Sequence, residues 1–184
     1  MKKLYLATRN RGKLAAAQTV FDRYGIQLKP IDKDYPEIQA DTSLEIAKHK
    51  ALEAAKELNA PVIREDHSLF IHALGFPGPY TGFIERHLSA KKLLEILENY
   101  TDRTGHFELA AVYALPNGEF KSFVYEVPVE FSKSPRGELQ TGWATVLCVP
   151  GSKLTFAEYS ESGRFHLWSK NYEDIGALIS SRRE

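Results

Sequence analysis

Apolar residues in the first third of the chain fall into short runs, separated by segments with helical periodicity. The run at residues 3–7 predicts a buried strand, and the apolar positions of residues 13–24 recur every three to four residues, which predicts a helix. Residues 26–31 predict a second strand. The segment Thr42-Ser43-Leu44-Glu45 fits a capping box that begins a second helix, and a third strand is expected at residues 61–66. This order of elements predicts an α/β fold.

Two long strands are predicted in the later part of the chain, at residues 107–115 and 119–131. The segment Pro116-Asn117-Gly118 between them is typical of a tight turn, so we predict a β-hairpin. Shorter predicted elements are a turn-rich loop at 75–80, a helix at 90–98, a strand at 144–149 and a closing helix at 174–180.

Charge narrows the classes of partner. Lysine and arginine together number 24, as do aspartate and glutamate, so the formal net charge is zero. Broad nucleic-acid binding relies on excess basic charge, so we expect no stable binding of nucleic acid. A small polyanion needs only a local basic cluster, which overall neutrality does not oppose.

Cysteine content and hydropathy bear on location. Cys148 is the single cysteine, so no intrachain disulfide can form, and a reducing compartment is expected. The apolar run near the N-terminus is too short for a signal peptide, and no stretch of 18 apolar residues could span a membrane. We therefore expect a cytoplasmic protein without a membrane partner. Its 184 residues suit a single domain, 1–184, built from two lobes.

The first polar turn has the residue types of an anion site. Thr8, Asn10 and Lys13 lie where the first strand passes into the first helix, and backbone N–H groups at a helix start attract anions. Gly12 permits close approach of the backbone to a ligand. The alternative is an ordinary capped helix with a solvated lysine.

Lys50 lies on the apolar stripe of the second predicted helix, among small alanines. A lysine at such a position either extends its ammonium outward to solvent or reaches a buried anion. Helical geometry alone slightly favours the outward conformation.

Acidic residues follow the third predicted strand. Glu65 and Asp66 come after an apolar run, and ligands of open α/β sheets gather at the carboxyl ends of strands. Carboxylates beside a triphosphate require a hard cation between them, and Mg²⁺ fills that role, with Mn²⁺ as an alternative. Glu37, in the preceding loop, could supply a further carboxylate. The alternative is that all three are solvated loop acids.

These segments together resemble the inosine triphosphate pyrophosphatase family. The similar segments follow the family order over nearly the whole chain: Thr8-Arg9-Asn10-Arg11-Gly12-Lys13, Pro36-Glu37, Lys50-Ala51, Glu65-Asp66, residues 73–80, Arg136-Gly137, Gly142-Trp143 and Thr155-Phe156-Ala157-Glu158.

The resemblance implies a long, curved mixed sheet with flanking helices and two lobes around a central cleft. It also implies a homodimer that hydrolyses damaged purine nucleoside triphosphates to the monophosphate and pyrophosphate with magnesium.

Roles carried over from the family fall on the polar residues already described. Thr8, Asn10, Lys13 and Lys50 would hold phosphates, and Glu37 and Asp66 would hold the metal with support from Glu65. Asp66, Lys13 and Lys50 would be the catalytic residues, with Asp66 orienting the attacking water.

The chain departs from the family pattern at specific positions. Ala16 stands where the family has an acidic residue, and Gly142-Trp143-Ala144-Thr145 replaces its Gly-Tyr/Trp-Asp-Pro segment. Arg164 stands at the later lysine, and Trp168-Ser169-Lys170 replaces Ser-His-Arg. The last two family segments read the purine base, so the resemblance implies a kept phosphate and metal half and a rebuilt base-reading half.

The rebuilt half leads to our hypothesis of altered or relaxed base preference. Trp143, Arg164, Trp168 and Lys170 are the candidate base contacts, since tryptophan can stack on a base and lysine lacks the forked geometry of arginine. Core packing is the equal alternative for both tryptophans. Two other functions stay open: a nucleotide-binding regulator without catalysis, and a pyrophosphatase of a modified pyrimidine triphosphate.

Overall fold

The computed structural model describes residues 3–31, 33, 35–36, 38–138 and 142–181, with backbone alone at 161, 162, 164 and 165. The chain divides into two compact units. Unit 1 comprises Met1–Asp66, Leu109–Tyr125 and Phe165–Glu184, and unit 2 comprises His67–Glu108 and Glu126–Arg164.

The described residues form seven strands and six helices. The strands are β1 Lys3–Leu6, β2 Gln27–Pro30, β3 Val62–Ile71, β4 Phe76–Gly78, β5 Thr104–Ala114, β6 Phe120–Phe131 and β7 Leu147–Cys148. The helices are α1 Arg11–Arg23, α2 Ser43–Leu58, α3 Thr81–His87, α4 Ala90–Leu97, α5 Glu161–Trp168 and α6 Lys170–Ser181.

The sheet mixes parallel and antiparallel pairs. Its order is β2-β1-β3-β5-β6-β7, with β4 paired to β3. β1 runs parallel to β2 and β3, whereas β4 and β7 run antiparallel to β3 and β6. The predicted α/β fold with a mixed sheet and flanking helices is confirmed.

Helices cover both faces of the sheet within unit 1. The first apolar cluster joins α1 and α6 to the strand residues Leu4, Leu6 and Ile63. A second cluster joins the alanines of α2 to Ala7 and Val62, the neighbours of those strand residues in sequence. Successive strand residues point to opposite faces, so α1 and α6 lie on one face and α2 lies on the other.

In unit 2, the Thr81 hydroxyl joins α3 to two strands, and a row of buried leucines anchors α4. Thr81 Oγ1 accepts a hydrogen bond from the Leu69 amide at 2.7 Å and donates to the Gly78 carbonyl at 2.6 Å. This hydroxyl therefore links the start of α3 to both β3 and β4. α4 buries Leu93, Leu94 and Leu97, a spacing that presents one face of the helix to the interior.

Helix caps explain where α1 and α2 begin. Asn10 caps α1 through its side-chain oxygen, and the helix therefore starts at Arg11, two residues before the predicted start. Thr42 caps α2, where its hydroxyl accepts the Glu45 amide at 3.2 Å, as the capping sequence predicts.

Other predicted bounds were wrong. β3 continues to Ile71 through the polar residues 64–67, which the sequence pattern places at a strand end. Buried Leu69 and Ile71 keep the later part of this strand in the core. The strand expected at 144–149 shortens to Leu147–Cys148, and part of the predicted loop at 75–80 forms β4.

The hairpin prediction is confirmed, since the Leu115 amide donates to the Glu119 carbonyl at 2.8 Å across the turn. Within the part of the chain that the structure describes, no helix has the length and apolar character needed to cross a bilayer.

Candidate active site

The end of β1 lies beside the first residues of β3. Leu6 pairs with Ile63 in parallel register, and the Ala7 amide donates to the Ile63 carbonyl at 2.9 Å. Ala7 and Arg64 are therefore the next residues along the two chains, followed by Thr8 and Glu65. Thr8 follows the carboxyl end of β1 as expected, whereas Asp66, which the sequence pattern places at the end of the third strand, lies within β3.

Arg64 of β3 contacts the residue that follows β1. One guanidinium nitrogen donates to the Ala7 carbonyl at 2.8 Å, and the other lies 3.3 Å from Asp66 Oδ1. The side chains of Arg64 and Asp66 are each 14% exposed. A half-buried guanidinium thus orients the carboxylate of Asp66 relative to the turn that follows β1.

The turn after β1 is organised by two side-chain oxygens. Thr8 Oγ1 accepts the Asn10 amide at 3.1 Å, and Asn10 Oδ1 accepts the amides of Gly12 and Lys13 at 2.9 and 3.1 Å. The Asn10 oxygen is therefore used in capping, and its amide nitrogen is the donor that the side chain can offer to an anion. The capped-helix alternative and the phosphate role are compatible for this residue.

Lys13 reaches the third strand. Its ammonium donates to the backbone carbonyl of Glu65 at 3.1 Å, across 52 residues of sequence. This contact brings a positive charge to the peptide group that joins Glu65 to Asp66, and the ammonium is not simply solvated.

Glu65 is enclosed by α6. The residue is 1% exposed, and both of its carboxylate oxygens accept hydrogen bonds. Asn171 Nδ2 donates to Oε1 at 3.2 Å, and the Tyr172 hydroxyl donates to Oε2 at 2.8 Å. Complete burial raises the pKa of Tyr172 well above its ordinary value of 10.0, and the charge of Glu65 adds to that rise.

Glu65 and Asp66 point to opposite faces of β3, as consecutive strand residues must. Glu65 contacts α6 on the face of Ile63, whereas Asp66 shares the face of Arg64 and Val62, on which α2 packs. Lys50 belongs to the buried stripe of α2 and is 7% exposed. The lysine is buried rather than extended into solvent, so the outward conformation that helical geometry slightly favoured is not the one seen.

The acidic residues fit a metal unequally. Asp66 has a partly exposed carboxylate, which suits Mg²⁺, because this ion takes one or two protein carboxylates together with water and phosphate oxygens. Both Glu65 oxygens already accept hydrogen bonds in the interior, so its geometry favours a supporting role. Glu37 lies outside the described residues. Among the residues that the structure covers, no group of three or more His, Cys, Asp or Glu side chains is arranged to hold a metal ion.

Trp143 is packed in the core of unit 2. It is 1% exposed, its indole N–H donates to the Leu88 carbonyl at 2.8 Å, and its amide donates to Glu85 at 3.3 Å. Burial raises the pKa of the Glu85 carboxyl. At Gly142 (φ 53°) a Cβ would lie 2.7 Å from that carboxyl, so glycine is required there. This placement favours the core-packing alternative for Trp143.

The other candidate base contacts lie in α5 and α6. Lys170 donates to Asp174 Oδ1 at 2.8 Å and lies 5.1 Å from the centre of the Tyr125 ring. The hydrogen bond to Asp174 raises the pKa of Lys170, so its cation is well established. Trp168 is partly buried at the end of α5, and the side chain of Arg164 lies outside the described atoms.

Ala16, one of the departures from the family pattern, faces the core. It is 2% exposed and belongs to the apolar cluster beneath α1. A carboxylate at this position would be buried among apolar groups, which is costly without a partner.

Sequence reasoning missed Arg64, Asn171 and Tyr172. The alternation of strand residues could have placed Arg64 and Asp66 on one face, because they are separated by two positions. No local pattern links Glu65 to Asn171 and Tyr172, which lie 106 and 107 residues away.

Comparisons with known proteins agree on one family. The model of the Ham1 family matches residues 4–167. A protein of Methanopyrus kandleri named dITP/XTP pyrophosphatase is 38% identical over 157 residues, which covers 85% of this chain and 84% of that relative. A relative of the same name from Ignicoccus hospitalis is 35% identical over 162 residues, covering 87% of this chain and 86% of the relative.

Solved structures give the same assignment. The Ham1 protein of Staphylococcus aureus superposes with a TM-score of 0.82 at 28% identity, covering 98% of this chain and 100% of that chain. The HAM1 protein of Coxiella burnetii gives a TM-score of 0.80 at 26% identity, again covering 98% and 100%. These matches confirm the resemblance recognised from the sequence motifs, and the chain belongs to the Ham1 family.

Proposed function

We propose that this protein hydrolyses non-standard purine nucleoside triphosphates to the monophosphate and pyrophosphate. The observation that carries the proposal is the convergence of charged groups where the end of β1 meets the first half of β3: the Lys13 ammonium donates to the backbone carbonyl of Glu65, and Arg64 pairs with the carboxylate of Asp66. Relatives over 30% identical and aligned along most of the chain bear the name dITP/XTP pyrophosphatase.

The cationic groups suit a polyphosphate. The Lys13 ammonium already contacts β3 through the Glu65 carbonyl. Lys50 is a buried residue of α2, the helix that packs on the same face of the sheet as Asp66. Lysines placed in a partly desolvated site neutralise charge that develops on a leaving pyrophosphate more strongly than they would in water. Thr8 and the Asn10 amide nitrogen would add short donors at the start of α1.

Asp66, with Glu37 from the loop before α2, would hold magnesium. Bound magnesium would neutralise phosphate oxygens and make the phosphorus easier to attack. The supporting observation is the chemistry of Asp66, a carboxylate held by Arg64 within β3 and still partly exposed.

Asp66 would also orient the attacking water or accept its proton. Water then forms a bond to the α-phosphorus, the bond from that phosphorus to the β-bridging oxygen breaks, and pyrophosphate departs. Arg64 keeps the carboxylate of Asp66 in one orientation, so the attacking oxygen is aligned before the reaction begins.

We further propose that base preference is altered or relaxed relative to the family. Two observations support this: the side chain of Ala144 cannot accept a hydrogen bond from a base, and Lys170 is paired with Asp174. A site that hydrogen-bonds one base edge discriminates strongly, and a site without such groups does not.

The experiment is the substitution Asp66→Asn, with pyrophosphate release measured in excess magnesium. We expect kcat to fall by about 10²- to 10⁴-fold, because the carboxylate that orients water is lost while its shape is kept. Asp22→Asn is the matched control. Asp22 is an exposed acid of α1, and its carboxylate accepts a hydrogen bond from the Gln18 side chain.

Wild-type turnover in Asp66→Asn would remove this residue from the mechanism. Calorimetry on the wild-type protein tests the alternative function. Tight nucleotide binding without release of pyrophosphate would indicate a nucleotide-binding regulator.

A further inference from the structure

Glu65, Asn171 and Tyr172 form a buried hydrogen-bonded cluster next to Asp66 in β3. Glu65 of β3 is 1% exposed, Asn171 of α6 is 1% exposed, and Tyr172 of α6 is fully buried. Asn171 Nδ2 also donates to the Leu109 carbonyl at 3.2 Å, so the start of α6 is joined to both β3 and β5. Neither Asn171 nor Tyr172 takes part in the proposed chemistry described above.

Both carboxylate oxygens of Glu65 are held in place. One accepts a hydrogen bond from the Asn171 amide and the other accepts a hydrogen bond from the Tyr172 hydroxyl. The cluster therefore fixes the side chain that lies one residue before Asp66.

The peptide between Glu65 and Asp66 is consequently fixed from several sides. α6 holds the Glu65 side chain, α1 holds the Glu65 carbonyl through Lys13, and Arg64 holds the Asp66 side chain. Rotation of this peptide would move the carboxylate of Asp66 and displace the ammonium of Lys13 together. Small errors in the position of reacting groups are costly to catalysis.

Fold stability alone does not account for a buried polar cluster at this position. Replacement of buried, hydrogen-bonded polar groups by well-packed apolar residues of similar shape is often neutral or stabilising, because desolvation offsets much of the gain from the hydrogen bonds. The apolar cluster that surrounds Tyr172 already joins α1, α6 and the sheet.

We propose that Asn171 and Tyr172 are positioning residues for the hydrolysis: through Glu65 they fix the peptide that carries the Asp66 carboxylate and receives the Lys13 ammonium. This inference rests on the proposed function, since Asp66 and Lys13 are the reacting and charge-neutralising groups named there. Positioning of this kind acts on the chemical step and leaves substrate affinity largely unchanged.

The test compares Tyr172→Phe with Phe21→Leu. Tyr172→Phe removes the hydroxyl that binds Glu65 but keeps the ring, which packs edge-on against Phe21 at 6.0 Å. We expect kcat to fall by about 10- to 100-fold, as for other outer-layer partners of reacting groups, with KM within about twofold. Phe21→Leu disturbs the same core without touching Glu65, so it should lower the melting temperature but keep kcat.

A double-mutant cycle sharpens the test. Glu65→Gln and Tyr172→Phe act on the same hydrogen bond, so their combined effect on kcat should be far smaller than the product of the single effects. Asn171→Ala provides a second, independent variant should Tyr172→Phe fold poorly, and it should show the same split between kcat and KM.

Three outcomes would overturn the inference. The first is wild-type kcat in folded Tyr172→Phe and Asn171→Ala, and the second is an equal loss of kcat in Phe21→Leu. The third is a wild-type protein that releases no pyrophosphate from any triphosphate, which would overturn the proposed function and this inference with it. An active wild type with unaffected variants would overturn this inference alone.

Discussion

At the scale of single residues, Lys13 and Asp66 come to the same peptide from distant parts of the sequence. The Lys13 ammonium contacts the Glu65 carbonyl, and Asp66 is the next residue of β3. A lysine at a helix start is usually solvated, so the contact of Lys13 with the backbone of β3 is the informative feature. We expect this ammonium to exchange the carbonyl contact for a phosphate oxygen when substrate binds.

Lys13→Ala should therefore raise KM for the triphosphate more than it lowers kcat. A hydrogen bond to a charged group contributes about 1.5–3 kcal/mol, which corresponds to a roughly 10- to 150-fold change in affinity. Steady-state kinetics at saturating magnesium measures the change, with Lys56→Ala, an exposed lysine of α2, as the control. An unchanged KM in Lys13→Ala would show that the ammonium does not contact the phosphates.

Individual residue roles could be predicted only in part. The residue types at Thr8, Asn10 and Lys13 indicate an anion site or a capped helix, but which amides the oxygens of Thr8 and Asn10 accept is visible only in three dimensions. Glu65 and Asp66 form one acidic pair in the sequence. Their position within β3 puts them on opposite faces, and strand alternation predicts this separation for any strand that includes both residues.

At the scale of elements, α1 combines a structural cap with a proposed phosphate contact. Asn10 Oδ1 accepts two amides of the first turn, which fixes the N–H groups at the helix start. The first turn contains no acidic residue, so no carboxylate of that turn repels an anion at this end of the helix. The cap and the anion site can therefore be separated by choice of substitution.

Asn10→Ala should destabilise the protein by about 1 kcal/mol, since its cap is lost. Asn10→Asp keeps the cap, because a carboxylate accepts the same amides, but it replaces the amide donor with a negative charge. Asn10→Asp should retain near-native stability and raise KM, whereas Thr42→Ala, a cap loss on α2, should lower stability and leave KM unchanged. Chemical denaturation and kinetics on the three variants provide the measurements, and an unaffected KM in Asn10→Asp would contradict the phosphate contact.

Elements with clear local patterns were predictable, and those that depend on distant contacts were not. The capping box of α2 and the hairpin turn between β5 and β6 carry their signals within a few residues. The full extent of β3 does not. Its polar residues are held by the contact of Arg64 with Ala7 and of Glu65 with α6, and its last residues pair with β4.

At the scale of the whole molecule, the order of strands and helices was sufficient to predict an α/β fold with a mixed sheet. The pairing of β3 with both β1 and β5 could not be derived from local sequence, because it joins segments from different parts of the chain. The attachment of α6 to β3 is of the same kind, and it brings the last described helix to the proposed active site. The order of the motifs along the sequence, by contrast, is sufficient to indicate the family.

The most direct test of the proposed activity is product analysis of the wild-type protein across standard and non-standard nucleoside triphosphates with magnesium. We predict equimolar monophosphate and pyrophosphate from inosine and xanthosine triphosphates, with appreciable turnover of other bases because the base contacts are rebuilt. Strong selectivity for inosine and xanthosine triphosphates would contradict the altered preference alone. Release of inorganic phosphate with a nucleoside diphosphate, or no cleavage of any triphosphate, would contradict the central claim.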